Sequence, residues 1–248
     1  PRGVIVRQGQ ALLAAEDESA LTPENLAGKS VALQGLPALE YVLHGSGAED
    51  LATGAAAYRC RYGTAVAANV ATIARAVAAA WATSPFRDSF AAPSAASDPY
   101  RSTREVAGEV VKALGTGLQF ARNAELLPAL GETAAEARGR RAPFWRGDLT
   151  FALAGAQLDG LSALIDAAGF GEAEEARAVV DSLQFDLRHA RDALGTITTP
   201  AEDAFADAAD RERIRYVTVV LEAANAAVGE RLSAALGLTM GFNALDGD

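Results

Sequence analysis

One cysteine, two histidines and two lysines are all that the 248 residues contain of those types. Each scarcity closes off a class of chemistry. With Cys60 alone, no intramolecular disulfide and no multi-thiolate metal site can form. His44 and His189 are too few for a histidine-dominated zinc site, although carboxylates are available to complete one. The basic residues other than Lys29 and Lys112 are all arginine, which in so alanine-rich a chain reflects a GC-rich genome. A net charge of −10 and a pI near 4.8 exclude a nucleic-acid binder, which needs clustered basic residues to meet phosphates. No uncharged apolar run reaches the 18 residues expected of a membrane span. The opening residues lack the charged-then-apolar layout of a signal peptide. The start therefore reads as a processed or truncated end, with any targeting segment upstream.

What is present is helical periodicity. β-Branched residues are sparse and nothing alternates with period two, so strands are not expected. Half of the residues are hydrophobic, enough for a sizeable core. Thr22-Pro23-Glu24 has the chemistry of a helix start, with Thr as N-cap and Pro in the first turn. Tyr58, Tyr62, Val66, Val70, Ile73, Val77 and Trp81 recur at steps of three or four, one stripe along a helix of about seven turns. Residues 83–102, with three prolines and several serines, read as a long loop. A helix then resumes near Ser102 with Val106, Val110, Leu114 and Leu118, and runs raggedly to Gly131. Three more helices complete the chain: one from Asp148 carrying Leu149, Leu153 and Leu164 to a left-handed stop at Gly169, one over Glu172–Leu194, and one from Asp210 using Ile214, Val217, Leu221, Val228 and Leu232. The charged connector EARGRRAPFW (136–145) places the main division, giving a first bundle over 1–135, with the loop 83–102 inside it, and a second over 136–248 with the C-terminal tail. The expected fold is all-α, two packed helical bundles.

The stretch LQGLPALEYVLHG, from Leu33 to Gly45, poses a local puzzle. A proline inside a helix costs roughly 3 kcal/mol by removing one N–H and colliding with the preceding turn. If the helix runs through it, Pro37 kinks the axis and frees the carbonyl of Leu33, while Gly35 admits a close backbone approach. The kink would turn Gln34 and Glu40 into a crevice between the bundles.

Four strings, GKSVALQGLPALEYVL, APFWRGDLTFA, PRGVIVRQ and GLTMGFNALDGD, together resemble the imelysin family of bacterial helical proteins over almost the whole chain. The resemblance implies two helical bundles and export to the periplasm or the outer surface, in some members as a lipoprotein. It also implies a link to iron uptake, and some members were first described as peptidases. The family's proposed site motif is G-x-H-x-x-E, in which His and Glu would share a metal ion. Here it aligns as Gly35, Leu36, Pro37, Ala38, Leu39 and Glu40, with proline at the histidine position. Relatives carry helices ahead of PRGVIVRQ, so such N-terminal helices are expected to be missing from this chain or supplied as a separate fragment of the same protein.

The leading expectation is an exported, non-catalytic binding protein concerned with iron or other metal acquisition. Its expected ligand-binding residues are Gln34, Gly35, Pro37, Glu40 and Arg146, with the Arg146 guanidinium as the partner of the Glu40 carboxylate. Glu40 and His44 are the candidate donors to an iron or other divalent metal ion. No HExxH pattern or nucleophile-base pair identifies a catalytic residue. Two other readings stand: a metallopeptidase of the imelysin type, or a scaffold that binds a partner protein through its acidic surface without a small ligand. The partners expected are a metal or small polar ligand and no nucleic acid, with any lipid anchor upstream.

Among the remaining candidates, His44 suits a helix C-terminus, where its charge would meet the dipole. His189 reads as a solvated helix face. Cys60 reads as a small packing residue, although Arg59 and Arg61 beside it would favour a thiolate. The tail GFNALDGD lacks the spacing of a calcium loop and is expected to fold back against the bundle. Trp81, Phe144, Trp145 and the tyrosines read as core and interface filler.

Overall fold

Every regular element among residues 2–238, which the computed structural model describes, is helical. The tail expectation falls on GFNALDGD and lies outside the described residues. The chain divides into two compact units, residues 1–87 and 88–248.

In the first unit, α1 (Arg2–Ala15) is followed by α2 (Pro23–Ala27), α3 (Leu36–His44) and α4 (Ala57–Ala82), with 3-10 turns between them. Thr22 caps α2 as its sequence foretells: its hydroxyl accepts from the Asn25 N–H at 3.3 Å, and Pro23 opens the helix. The core is small. Leu12, Leu26, Leu33, Ala38 and Val42 close over Tyr58, Tyr62 and Val66 of α4. Gly63 lets α3 seat closely, since a Cβ there would stand 3.0 Å from the Val42 Cγ1. By length and composition alone, α4 is apolar enough to cross a membrane, yet its first turns are built into this core.

The division falls inside α5 (Pro85–Ala91), a short helix within a segment whose prolines and serines read as all loop. The second unit holds α6 (Thr103–Gln119), α7 (Leu127–Leu130), α8 (Thr150–Ala167), α9 (Glu174–Gly195), α10 (Ala201–Ala204), α11 (Ala208–Ala226) and α12 (Ser233–Ala235). Helix α8 packs on α9, α9 on α11, α11 on α6 and α6 on α8, closing a four-helix ring. Its core runs from Val111, Leu114 and Leu118 through Leu158, Ile165, Leu183 and Leu187 to Ile214, Leu221 and Leu232. Gly117 brings α6 onto α8, as a Cβ there would meet Leu161 Cδ2 at 2.6 Å.

This arrangement moves the boundary expected at 135/136. Helix α6 is a wall of the four-helix ring, so the chain from Asp88 to Glu136 belongs with α8, α9 and α11, and the connector EARGRRAPFW lies inside the second unit. The ragged end of α6 has a cause. Phe120–Leu126 winds as a π turn before α7, which stops at Gly131 with φ +62°, and a second π turn, Ala227–Leu232, comes after α11. Each wider turn shifts the side-chain register that a 3.6-residue pattern assumes. In α8 the buried face is Phe151, Ala154, Leu158 and Ile165, while Leu149, expected to lead it, is half exposed. Gly169 does end α8 in the left-handed region, φ +66°.

Candidate functional site at the first turn of α3

Pro37 does not interrupt a helix. Ser30 starts a 3-10 turn over Val31–Leu33, its hydroxyl accepting from the Ala32 N–H at 3.3 Å, and the chain restarts at Gly35 as the N-cap of α3. Pro37 thus occupies the first turn, where a missing N–H is no loss. The expected kink is absent for that reason. The Leu33 carbonyl, four residues before the proline, instead accepts a hydrogen bond from the buried Tyr62 hydroxyl at 2.8 Å. Gly35 has φ −109°, and an added Cβ would meet nothing nearer than the Pro37 Cδ at 3.6 Å, so no close backbone approach depends on it.

Gln34 ties this junction together. Its side-chain amide donates to the carbonyls of Ala27, at 3.2 Å, and Lys29, holding the end of α2 against the start of α3. Asn69 Nδ2 of α4 reaches the Gln34 carbonyl at 3.3 Å and its Oε1 at 3.5 Å. Glu40 lies one turn beyond Pro37 and is partly buried. His44, exposed in the last turn of α3, sits one further turn along the same side of the helix. Arg146 lies in a short 3-10 turn of the second unit, its guanidinium 4.5 Å above the Trp145 ring, with Arg140 5.2 Å from the same ring. Trp145 is therefore a cation-stacking platform as well as a partner of the core. Trp81 is half exposed and meets Phe86 edge-on.

Two residues that the sequence did not single out hold the frame. Arg59 is buried in the first unit and, among the described residues, forms no ion pair with a carboxylate. Its Nε donates to the Val42 carbonyl at 2.8 Å, Nη1 to Ser46 at 2.6 Å, and Nη2 to Tyr41 at 2.8 Å and Gly45 at 3.2 Å. A cation among the orphan carbonyls at the end of α3 satisfies them and offsets the negative end of the helix dipole. Gly45 is required there, because a Cβ would fall 2.4 Å from the Tyr41 carbonyl oxygen. In the second unit Glu125 is buried on the π turn after α6, where Gln157 Nε2 of α8 donates to its Oε1 at 3.1 Å. The one local signal for it is an acid set among the apolar residues of NAELLPAL, just where the periodicity goes ragged.

Cys60 is exposed, which removes its packing role: Arg59 takes the inward position and the next residue faces out. His189 lies on the exposed side of α9, its ring 3.9 Å from that of Phe185 and its Nδ1 2.9 Å from the Phe185 carbonyl. Among the described residues no three His, Cys, Asp or Glu side chains converge as a metal cluster would. Burial raises the pKa of Tyr62 well above the ordinary phenol value, and burial followed by the charges of Asp17 and Glu18 raises that of Tyr58. The carboxyl of Asp17 is held below its usual range chiefly by the Ser19 hydroxyl.

A family model for imelysin matches residues 1–227. No curated protein and no solved structure matches the chain.

Proposed function

Because the chain belongs to the imelysin family, we propose that it is an extracytoplasmic bacterial binding protein that serves iron or other metal acquisition and carries no peptidase chemistry of its own. One observation supports this above the others: Pro37 stands in the first turn of α3, at the place where the family motif would present an imidazole, with Glu40 one turn on. The donors left on α3 are one carboxylate and one imidazole, Glu40 and His44. A catalytic zinc needs three protein ligands to hold it while a fourth position stays open to water. Two donors do not fit that requirement, so no hydrolytic step is assigned to a bound metal.

A two-donor site exchanges its cargo readily, which suits a protein that passes a metal on. Glu40 supplies the charge for a hard cation, while His44 adds a borderline nitrogen donor. Gln34 shapes the site from behind by fixing the end of the preceding turn against α4. The experiment is elemental analysis of protein purified without added metal, alongside a peptide-hydrolysis assay with and without chelator. The expected result is exchangeable, substoichiometric metal and no hydrolysis in either condition. Chelator-sensitive hydrolysis by the purified chain would reject the reading in favour of a metallopeptidase.

A further inference from the structure

The apolar stripe of α4 continues after the core that covers it has ended. Tyr58, Tyr62 and Val66 are buried, Val70 is partly covered, and Ile73 and Val77 are each 54% exposed. From Thr72 to Ala82 every residue of the helix is exposed. Ala67, Ala74 and Ala78 form a second exposed row beside the stripe, so the bare half presents a wide face of branched and small side chains. Arg75, its one charge, lies about 200° around the helix from both Ile73 and Val77, on the opposite side.

We propose that this half of α4 is a dimerisation face, packed antiparallel against the same half of a second copy of the chain. Charge selects that occupant. The chain carries a net −10, yet it has no Asp or Glu between Asp50 and Asp88. Two copies approaching elsewhere bring carboxylates together; here they meet without one, and both Arg75 side chains point away from the seam. The face is also self-complementary in the sense a two-fold interface needs. With the axis level with residue 75, Ile73 lies opposite Val77 of the second copy, Val70 opposite Ala80, and the alanine row allows close approach. A bilayer is a poorer occupant: Ala67 to Ala82 spans roughly 24 Å, short of the ~30 Å hydrocarbon core.

Sedimentation equilibrium of the full chain tests the proposal. The expected mass is twice 25.6 kDa at high concentration, falling to one chain on dilution. The double variant Ile73→Glu/Val77→Glu should remain a single chain throughout, with unchanged helical circular dichroism because both sites are exposed, while Arg75→Glu on the far side should leave the dimer intact. In a Cys60→Ser background, Ile73→Cys/Val77→Cys should form an interchain disulfide on oxidation. A wild-type chain that stays single at every concentration, a dimer that survives the double glutamate variant, or a single chain that binds lipid vesicles through this face would each overturn the proposal.

Discussion

Arg59 and Arg211 are each 6% exposed, each in a different unit, and each spends its guanidinium on main-chain carbonyls. Arg59 serves one helix end, that of α3, and its partners lie within Tyr41–Ser46. Arg211 gathers distant pieces: the carbonyls of Leu130 and Gly131 at the end of α7, and that of Phe205 beside α10. The surroundings differ as much as the reach. Around Arg211 a four-helix ring buries α9 and α11 along their length, whereas around Arg59 a few short helices cover only the first turns of α4. Where the core is small, a single polar knot carries a larger share of the stability; where it is large, the same device joins elements that apolar packing already holds.

The sharpest way to break this comparison is to remove each arginine. Arg59→Ala strands several carbonyls at the end of α3 and is expected to cost about 3–5 kcal/mol, enough to unfold the first unit. Arg211→Ala should cost a similar amount while the second unit remains folded, because its larger core has stability to lose. Trp81 lies in the first unit and Trp145 in the second. Single-tryptophan versions in urea therefore follow each transition separately.

The next largest effect contrasts two positions on one stripe. Val66→Ala, at a fully buried site, is expected to destabilise by about 2 kcal/mol, whereas Ile73→Ala in dilute solution should stay within about 0.5 kcal/mol. Equal costs would mean that the second half of α4 is covered within the chain itself.

The smallest expected effect is alkaline. A phenol whose folded pKa lies above its unfolded value near 10.0 keeps its proton longer in the fold, so its contribution is complete below that pH and is lost as the pH rises beyond it. Tyr58 and Tyr62 both lie in the first unit, while Tyr100 is the raised phenol of the second. Trp81 should therefore report unfolding at a lower alkaline pH than Trp145, and Tyr62→Phe should narrow the gap.

Helices are legible in the sequence where they carry their own signals, as at Thr22-Pro23 before α2 and Gly169 after α8. Helix α11 begins a little earlier than the expected Asp210, because the Asp207 side chain caps it by accepting from the Ala209 and Asp210 N–H groups. Burial along a stripe is less so. The spacing from Tyr58 to Trp81 is uniform, and only the extent of the elements packed against α4 decides that Val66 is inside and Ile73 outside. Pro37 reads as a helix breaker only while Leu33–Gly45 counts as one helix; the Ser30 turn and the Gly35 N-cap break it first, so the proline costs nothing. Arg59 leaves no local signature, since its partners are carbonyls, which no side-chain pattern marks. The π turns hide the register of α6 in the same way. At the site, the placement of Glu40 and His44 on one helix is readable from spacing alone.

A metal titration of the full chain and two variants bears most directly on the account, with circular dichroism confirming the fold of each. The wild type is expected to bind a divalent transition metal weakly and Glu40→Ala more weakly still, while Pro37→His, which places an imidazole three residues before Glu40, should tighten binding at least tenfold. Equal affinities across all three would contradict a site on α3.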